Sequence, residues 1–356
     1  METEAPPIST GGIASPHDYR DDIVAAAATP APTPTHQLPQ TLHTDLGQVL
    51  MQAQEPACVS FSVAEAIKLH FYKTTGKWID FSPRFLDTLV KRYDGQDRAT
   101  GGTYPRMVFN LAAKYGCATT ATVPNDTTLP VLQYRDDSIL TAAAFAEAAQ
   151  YKIPGYVRVA LDDASVKDAL YQHGAVSTLY EIGDELWTPD WLDKDIDPLR
   201  PPAVIVSGHQ MTDCSYANVA GDNITRNHWS AAWANNGEAK YDPKAWAPYI
   251  LERWAVAEIP ADVADFLKQL PAPADFHYQW NANLSLGDYN DDVRFAQIAL
   301  MILGFLGPLS PDDLGHYGPK TSVAVGKYQQ AQRINPPAPT NIGPKTRTAL
   351  NAQFAL

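Results

Sequence analysis

Apolar positions recur at three- and four-residue spacing from Val59 through Val63, Ala66 and Ile67 to His70, a period that predicts a helix starting near Cys58, with Pro56 in its first turn. Helical patterning covers roughly residues 50 to 120 and stops at NLAAKYG, where Gly116 marks the terminating turn. The period then changes. GYVRVA, DDASVKDALYQHG and AVSTLYEI, between residues 155 and 182, predict a strand, an Asp-capped helix and a strand. Residues 202–216 and the Trp-rich 224–258 predict further short strands and turns. A helical front half followed by a strand-rich back half predicts an α+β fold, with any cleft between the halves.

Two composition shifts divide the chain. Residues 26–40, AAATPAPTPTHQLPQ, predict an extended surface connector, and KQLPAPADF at 268–276 marks a boundary between domains. Beyond it lies an internal repeat: Gly-Pro-Lys-Thr occurs at 318–321 and 343–346, each time leading into a helical pattern. Gly supplies the turn and Pro pre-sets the first helical turn, after which Ala324, Val325 and Tyr328 share one face, as do Ala349 and Leu350. With the upstream helix DDVRFAQIALMILGFLG, these elements predict a small helical domain. The expected boundaries are 1–45 for an N-terminal segment and connector, 46–265 for the main domain, 266–282 for a linker and 283–356 for the helical domain.

Charge narrows the function classes. A formal net charge of −13 over 356 residues argues against nucleic-acid binding and against attraction to anionic lipid, while 45% hydrophobic residues suffice for a sizeable core. No run reaches the roughly 18 apolar residues of a membrane span, so no membrane insertion is expected. METEAPPISTGG is acidic, and no signal peptide is visible in it. The cysteines at 58, 117 and 214 form neither a disulfide framework nor a CxxC metal pair, so at least one thiol is expected to be free. HExxH, GxSxG, Walker, GxGxxG and EF-hand signatures are absent from the sequence. The acidic DKDIDP at 193–198 is expected to be a solvated loop rather than a calcium site.

Cys58 is a candidate nucleophile because a helix N-terminus favours a thiolate, although free Cys is also a common buried core residue. A thiolate needs a base, a group that orients the base, and donors for the oxyanion. Residues for all three roles exist, and they resemble the papain-like C1 cysteine peptidases, particularly bacterial ones. Gln52 lies six residues before Cys58, as in that family's Gln-to-Cys signature, and VSFS follows. SGHQMTDCSY is similar to the Gly-His-Ala strand, and NHWSAAWANNG matches the Asn-Ser-Trp-Gly pattern at Asn227, Trp229, Trp233 and Gly237. GGTYPRMVFNLAAKYG resembles the segment lining the substrate groove at Gly101, Gly102, Tyr104 and Pro105, with one extra residue before the Tyr. SPHDYRDDI resembles the family's Asp-Trp-Arg start.

The resemblance implies a two-lobed papain-like fold with a helical lobe and a β-barrel-like lobe. It implies Cys58 as nucleophile, His209 as base, Asn227 as the group orienting it, and Gln52 with the Cys58 N–H as oxyanion donors. Gly101, Gly102, Tyr104, Pro105, Gly208, Gln210, Trp229 and Trp233 would contribute to substrate binding. An ordinary thiol pKa of about 8.5 would fall to about 3 to 4 beside an imidazolium, so Cys58 and His209 are expected to rest as an ion pair. No metal and no cofactor are required. The 57 residues before Cys58 leave no room for a full inhibitory prodomain, so constitutive activity, or control by location, is expected.

Residues 283–353 resemble the peptidoglycan-binding domain type 1, through the repeated Gly-x-x-Thr cores and the Tyr-Gln at 328–329. That resemblance implies a three-helix module that raises the local concentration of the catalytic domain at its polymer. The leading expectation is a cysteine endopeptidase acting on protein or peptide at a bacterial envelope. A wall-lytic peptidase cutting peptidoglycan peptides, phage-associated in one version, and an inactive papain-like binding protein stay open. So does location: a wall module implies the extracellular space or cell envelope, while a cytoplasmic protein awaiting release fits the lack of a visible signal. Two departures matter. Pro56 and Ala57 replace the family's Gly-Ser, and Gln210 replaces Ala at a position bordering S2, which predicts a preference away from large apolar P2 side chains. Gln210→Ala is expected to change the P2 profile on a peptide library; an unchanged profile refutes the assignment.

Overall fold

The computed structural model describes residues 10–28, 38–186, 199–217, 221–334 and 340–355. DKDIDP and most of the Pro/Ala/Thr connector lie outside the described residues. The chain divides into two compact units, Met1–Ser15 with Pro30–Glu258, and Pro16–Thr29 with Ile259–Leu356.

In the first unit the expected helix spans Cys58–Thr75, burying Val59, Val63, Ala66 and Ile67 and ending at Gly76, whose φ of 72° is the left-handed stop that glycine favours. Pro56 is not in its first turn. Ala57 is the N-cap and Cys58 the first helical residue, because the Pro56 carbonyl is held elsewhere, by the Arg135 guanidinium at 3.0 Å. Helices Pro83–Val90, Pro105–Tyr115 and Ala142–Ala148 pack around it; Ser82 caps the first, Pro105 opens the second and Thr141 caps the third. Pro105–Tyr115 stops at Gly116, as the sequence predicts.

The strands are β1 Thr41–His43, β2 Tyr156–Arg158, β3 Val176–Ile182, β4 Ser207–Ala217, β5 Asp222–Arg226, β6 Glu238–Tyr241 and β7 Ile250–Val256. They form one antiparallel sheet in the order β2-β7-β3-β4-β5-β6, with β1 also on the long β4. Between β2 and β3 runs the helix Asp163–His173, with Asp162 accepting the Ser165 N–H at its start. Helix and sheet are stitched by Ser62, on the Cys58 helix, whose hydroxyl bonds Ser177 on β3 and Thr212 on β4 at 2.7 and 2.9 Å. Such satisfied buried polar contacts fix one register where apolar packing alone would allow sliding.

The second unit holds helices Tyr19–Ala28, Ala261–Leu267, Asp291–Ile302, Pro319–Ala331 and Pro344–Phe354. Each Gly-Pro-Lys-Thr places Pro at the start of a helix, and each Thr hydroxyl accepts from a buried glutamine of another helix: Gln297 to Thr321 and Gln329 to Thr346, both at 2.9 Å. The sequence repeat is thus a repeated polar staple. Two expectations are corrected here. Residues 266–282 are not a free linker, because Phe266, Leu270, Phe276 and Trp280 are buried in this unit's core. The stretch resembling the peptidase start is a helix of this unit, since Tyr19 and Ile23, one turn apart, bury with those same residues.

Arg135 and Asp87 form an ion pair at 2.7 Å with neither side chain exposed. Removing one partner leaves an uncompensated buried charge, so Asp87→Asn is expected to cost about 3 to 5 kcal/mol, read as a lower urea midpoint.

Candidate active site

The groove of the first unit has three walls. Cys58 stands at the helix N-terminus behind the Pro56–Ala57 loop, Gly101–Thr103 forms a second wall, and the start of β4 forms the third. Arg135 joins two of them, donating to Pro56 O at 3.0 Å and Gly101 O at 3.1 Å. Lys91 completes this frame, with Nζ bonded to Gly101 O, Gly102 O and Asp94 at 2.9, 2.6 and 2.9 Å. Lys91, Arg135 and Asp87 escaped the sequence reading, because Asp87 and Arg135 are 48 residues apart and Lys91 and Arg135 bond main-chain carbonyls, which no local motif marks.

On β4, His209 is opposite Tyr180 of β3, and the N–H of the next residue, Gln210, points at Cys58 Sγ at 3.4 Å. His209 Nε2–H donates to Asn227 Oδ1 at 2.8 Å, which also accepts the His228 N–H at 2.8 Å. Trp229 covers this pair, its ring 4.7 Å from the imidazole and tilted by 30°, and Trp233 meets Trp229 edge-on. The turn that follows needs Gly237: its φ is 82°, and a Cβ there would meet Val49 Cγ1 at 2.7 Å. The Gln52 segment is laid against this loop by Gln52 N–H to His228 O at 2.8 Å. Beneath it, His228 Nε2 and Glu65 Oε2, 2.9 Å apart, tie the loop to the Cys58 helix; burial raises the Glu65 pKa, but His228 and Arg226 together bring it below the carboxylate norm.

Other expected residues sit differently. Gln52 Nε2 donates to Glu55 O at 3.0 Å within its own turn. The Gln210 side chain is buried and donates to Ser177 Oγ at 2.8 Å, inside the sheet. The Tyr104 hydroxyl accepts from Gln96 at 2.9 Å. Cys117 and Cys214 are buried thiols that face main-chain carbonyls, Ser82 O and Ile224 O, each at 3.7 Å.

The groove is covered. Thr10–Ile13 runs through it, with Gly12 N–H on Gly208 O at 3.1 Å, Ile13 N–H on Thr103 O at 2.9 Å, and Thr103 N–H on Gly11 O at 2.7 Å. Thr10 Oγ1 donates to Ser207 Oγ at 2.6 Å. Thr103, the extra residue relative to the family pattern, is thus the one that binds this strap. A strap of a few residues thus covers the groove, where the sequence alone led to an expectation of constitutive activity or control by location.

Covering changes the electrostatics. Cys58 and His209 both have no exposed surface. Burial pushes the Cys58 thiol up to about 11, against the main-chain N–H groups of Gln210, Gly11 and Val59, which pull it down. Burial likewise drives His209 down to about 3, with the Asn227 hydrogen bond acting in the opposite direction. His209 Nδ1 has no hydrogen-bond partner, so no sulfur–imidazole hydrogen bond is present. Both shifts favour the uncharged forms of Cys58 and His209, in the direction opposite to the ion pair expected from the sequence. Nearby, burial raises Glu55 to about 7.

Comparisons with known proteins place these features. The chain is similar to the crystal structure of xylellain, a cysteine protease from Xylella fastidiosa, with a TM-score of 0.59 and 18% identity over 71% of this chain and 97% of that one. It is also similar to digestive procathepsin L 3 of Tenebrio molitor larval midgut, with a TM-score of 0.52 and 17% identity over 68% of this chain and 77% of that one. The fold is papain-like. Residues 289–350 match the family model described as "Putative peptidoglycan binding domain". No curated protein sequence matches the chain.

Because the Cys58 pKa is raised rather than lowered, its thiolate fraction grows with pH throughout the neutral range. Iodoacetamide reaches Cys58 only when the strap lifts, so alkylation of Cys58 in the folded chain at about pH 8, mapped by mass spectrometry, is expected to be at least about tenfold slower than in the urea-unfolded chain; equal rates contradict the burial of the thiol.

Proposed function

We propose that the chain is a papain-like cysteine endopeptidase held at the cell wall by its peptidoglycan-binding domain. The observation that carries this reading is the His209–Asn227 hydrogen bond of 2.8 Å on strand ends that also deliver the Gln210 N–H to Cys58 Sγ at 3.4 Å. Once Thr10–Ile13 leaves the groove, water and substrate reach both groups, and the proton can pass from Cys58 to His209. Asn227 then holds the imidazole by Nε2–H, leaving Nδ1 to carry the transferred proton, while Trp229 keeps water from that bond.

Attack of Sγ on a peptide carbonyl forms the S–C bond, and the oxyanion is met by the Cys58 N–H, which has no intrahelical acceptor at the first helical position, and by the Gln52 amide. The C–N bond breaks as His209 gives its proton to the leaving amine. Water then adds to the thioester with His209 taking its proton, the S–C bond breaks, and the acid product leaves with the thiol restored. The balance is one peptide bond and one water consumed per amine and acid formed.

The match of residues 289–350 to a peptidoglycan-binding model favours a second reading on the same chemistry, in which the substrate is a wall peptide itself. Cys58→Ala is expected to abolish hydrolysis of peptide substrates, and Gln52→Ala to lower kcat by about 100- to 1,000-fold. Hydrolysis that persists in Cys58→Ala sinks the peptidase reading, and loss of turbidity of purified sacculi selects the wall-lytic version.

A further inference from the structure

The glycines of the strap show what the groove accepts. The hydrogen bonds that join Gly11, Gly12 and Ile13 to Thr103 and Gly208 run from main chain to main chain, so these bonds would hold any sequence. Space is what discriminates. A Cβ on Gly11 would lie 2.3 Å from Pro56 O and 2.8 Å from Pro56 C, both backbone atoms. That carbonyl cannot retreat easily, since Arg135, itself paired with Asp87, holds it at 3.0 Å. A Cβ on Gly12 would lie 2.3 Å from Leu179 Cδ1, the end of a buried side chain. The walls are trimmed to match: a Cβ on Gly102 would meet Gly11 O at 2.1 Å, and one on Gly208 would meet Gly12 O at 2.2 Å. Glycines thus face glycines on both sides of the sulfur.

We propose that the groove over Cys58 is a binding site for peptides carrying two consecutive glycines, of which Gly11–Gly12 is the built-in occupant. This goes beyond the peptidase reading by naming the class of peptide that occupies the same groove without being cut. The strap itself escapes cutting because it pairs parallel to Thr103 and turns the Gly11 N–H toward the sulfur, where a substrate must bring a carbonyl carbon to within about 3 to 3.5 Å. The Pro56–Ala57 departure and the inserted Thr103 acquire a common role. One supplies the rigid carbonyl that rejects a side chain, and the other the ladder that grips the main chain.

The test reads occupancy rather than turnover, as the rate of Cys58 alkylation by iodoacetamide in the full-length chain. Gly11→Ala and Gly12→Ala are each expected to speed alkylation by about tenfold or more by expelling the strap. Adding Leu179→Ala is expected to restore slow alkylation to Gly12→Ala, where the obstacle is a side chain, and to leave Gly11→Ala fast, where it is backbone. Ile13→Pro, which replaces the donor to Thr103 O with a ring carbon that cannot sit there, is expected to react as fast as Gly11→Ala. With Gly11→Ala, added acetyl-Thr-Gly-Gly-Ile-amide is expected to protect Cys58, and acetyl-Thr-Ala-Gly-Ile-amide to leave it reactive. Wild-type rates in both Gly11→Ala and Ile13→Pro, or equal protection by the two peptides, overturn the proposal. Absent peptide hydrolysis alongside glycine-selective protection would instead remove the peptidase reading and leave the site standing.

Discussion

The guanidinium of Arg135, buried with its Asp87 counter-ion, bonds the carbonyls of Pro56 and Gly101 at once, and so sets the distance between the nucleophile's loop and the opposite groove wall. Other arrangements in the first unit follow from it. With Pro56 O pinned, Ala57 becomes the N-cap and Cys58 the first helical residue, presenting its sulfur and its N–H at the groove floor. With Gly101 pinned, and Lys91 holding Gly102 beside it, Thr103 keeps both its N–H and its carbonyl for a guest backbone. A planar, permanently charged group suits this role, because five donors in fixed geometry can serve several carbonyls without titrating.

The cover on the groove is also an electrostatic statement. In a dry site the separated charges of a thiolate and an imidazolium lose more hydration than they regain from one another, so burial leaves both groups neutral. The parts that would stabilise charge are already built: the helix N-terminus under Cys58, the Asn227 carbonyl on His209, and the Glu65–His228 layer below. What separates the resting pair from a reactive one is therefore hydration, controlled by a few residues of backbone.

Much of this fold was legible because it is locally encoded. The apolar period from Val59 to Ile67, the Asp162 cap, the Gly116 stop and the paired Gly-Pro-Lys-Thr turns each act within one helical turn of themselves. His209 and Asn227 were legible through a family pattern, and their hydrogen bond depends on β4–β5 register that no local signal carries. Three things were illegible for physical reasons. The Pro- and Ala-rich stretch at 268–276 hides its anchors, Leu270 and Phe276, among residues typical of linkers. Lys91 and Arg135 reach main-chain carbonyls, which carry no sequence identity. The strap is recognised by the absence of side chains, and Gly-Gly reads the same in a loop as in a groove.

The strap is covalently continuous with everything it guards, being part of the chain that runs on to Tyr19 and the second unit's core. When it detaches it does not dilute into solution. A segment of the same chain returns to its berth as an intramolecular ligand, at an effective concentration that for short flexible tethers is about millimolar, so any external peptide competes against a tethered rival. Weakly bound or scarce ligands would then be ignored, and the thiol would be bared chiefly where matching polymer is dense.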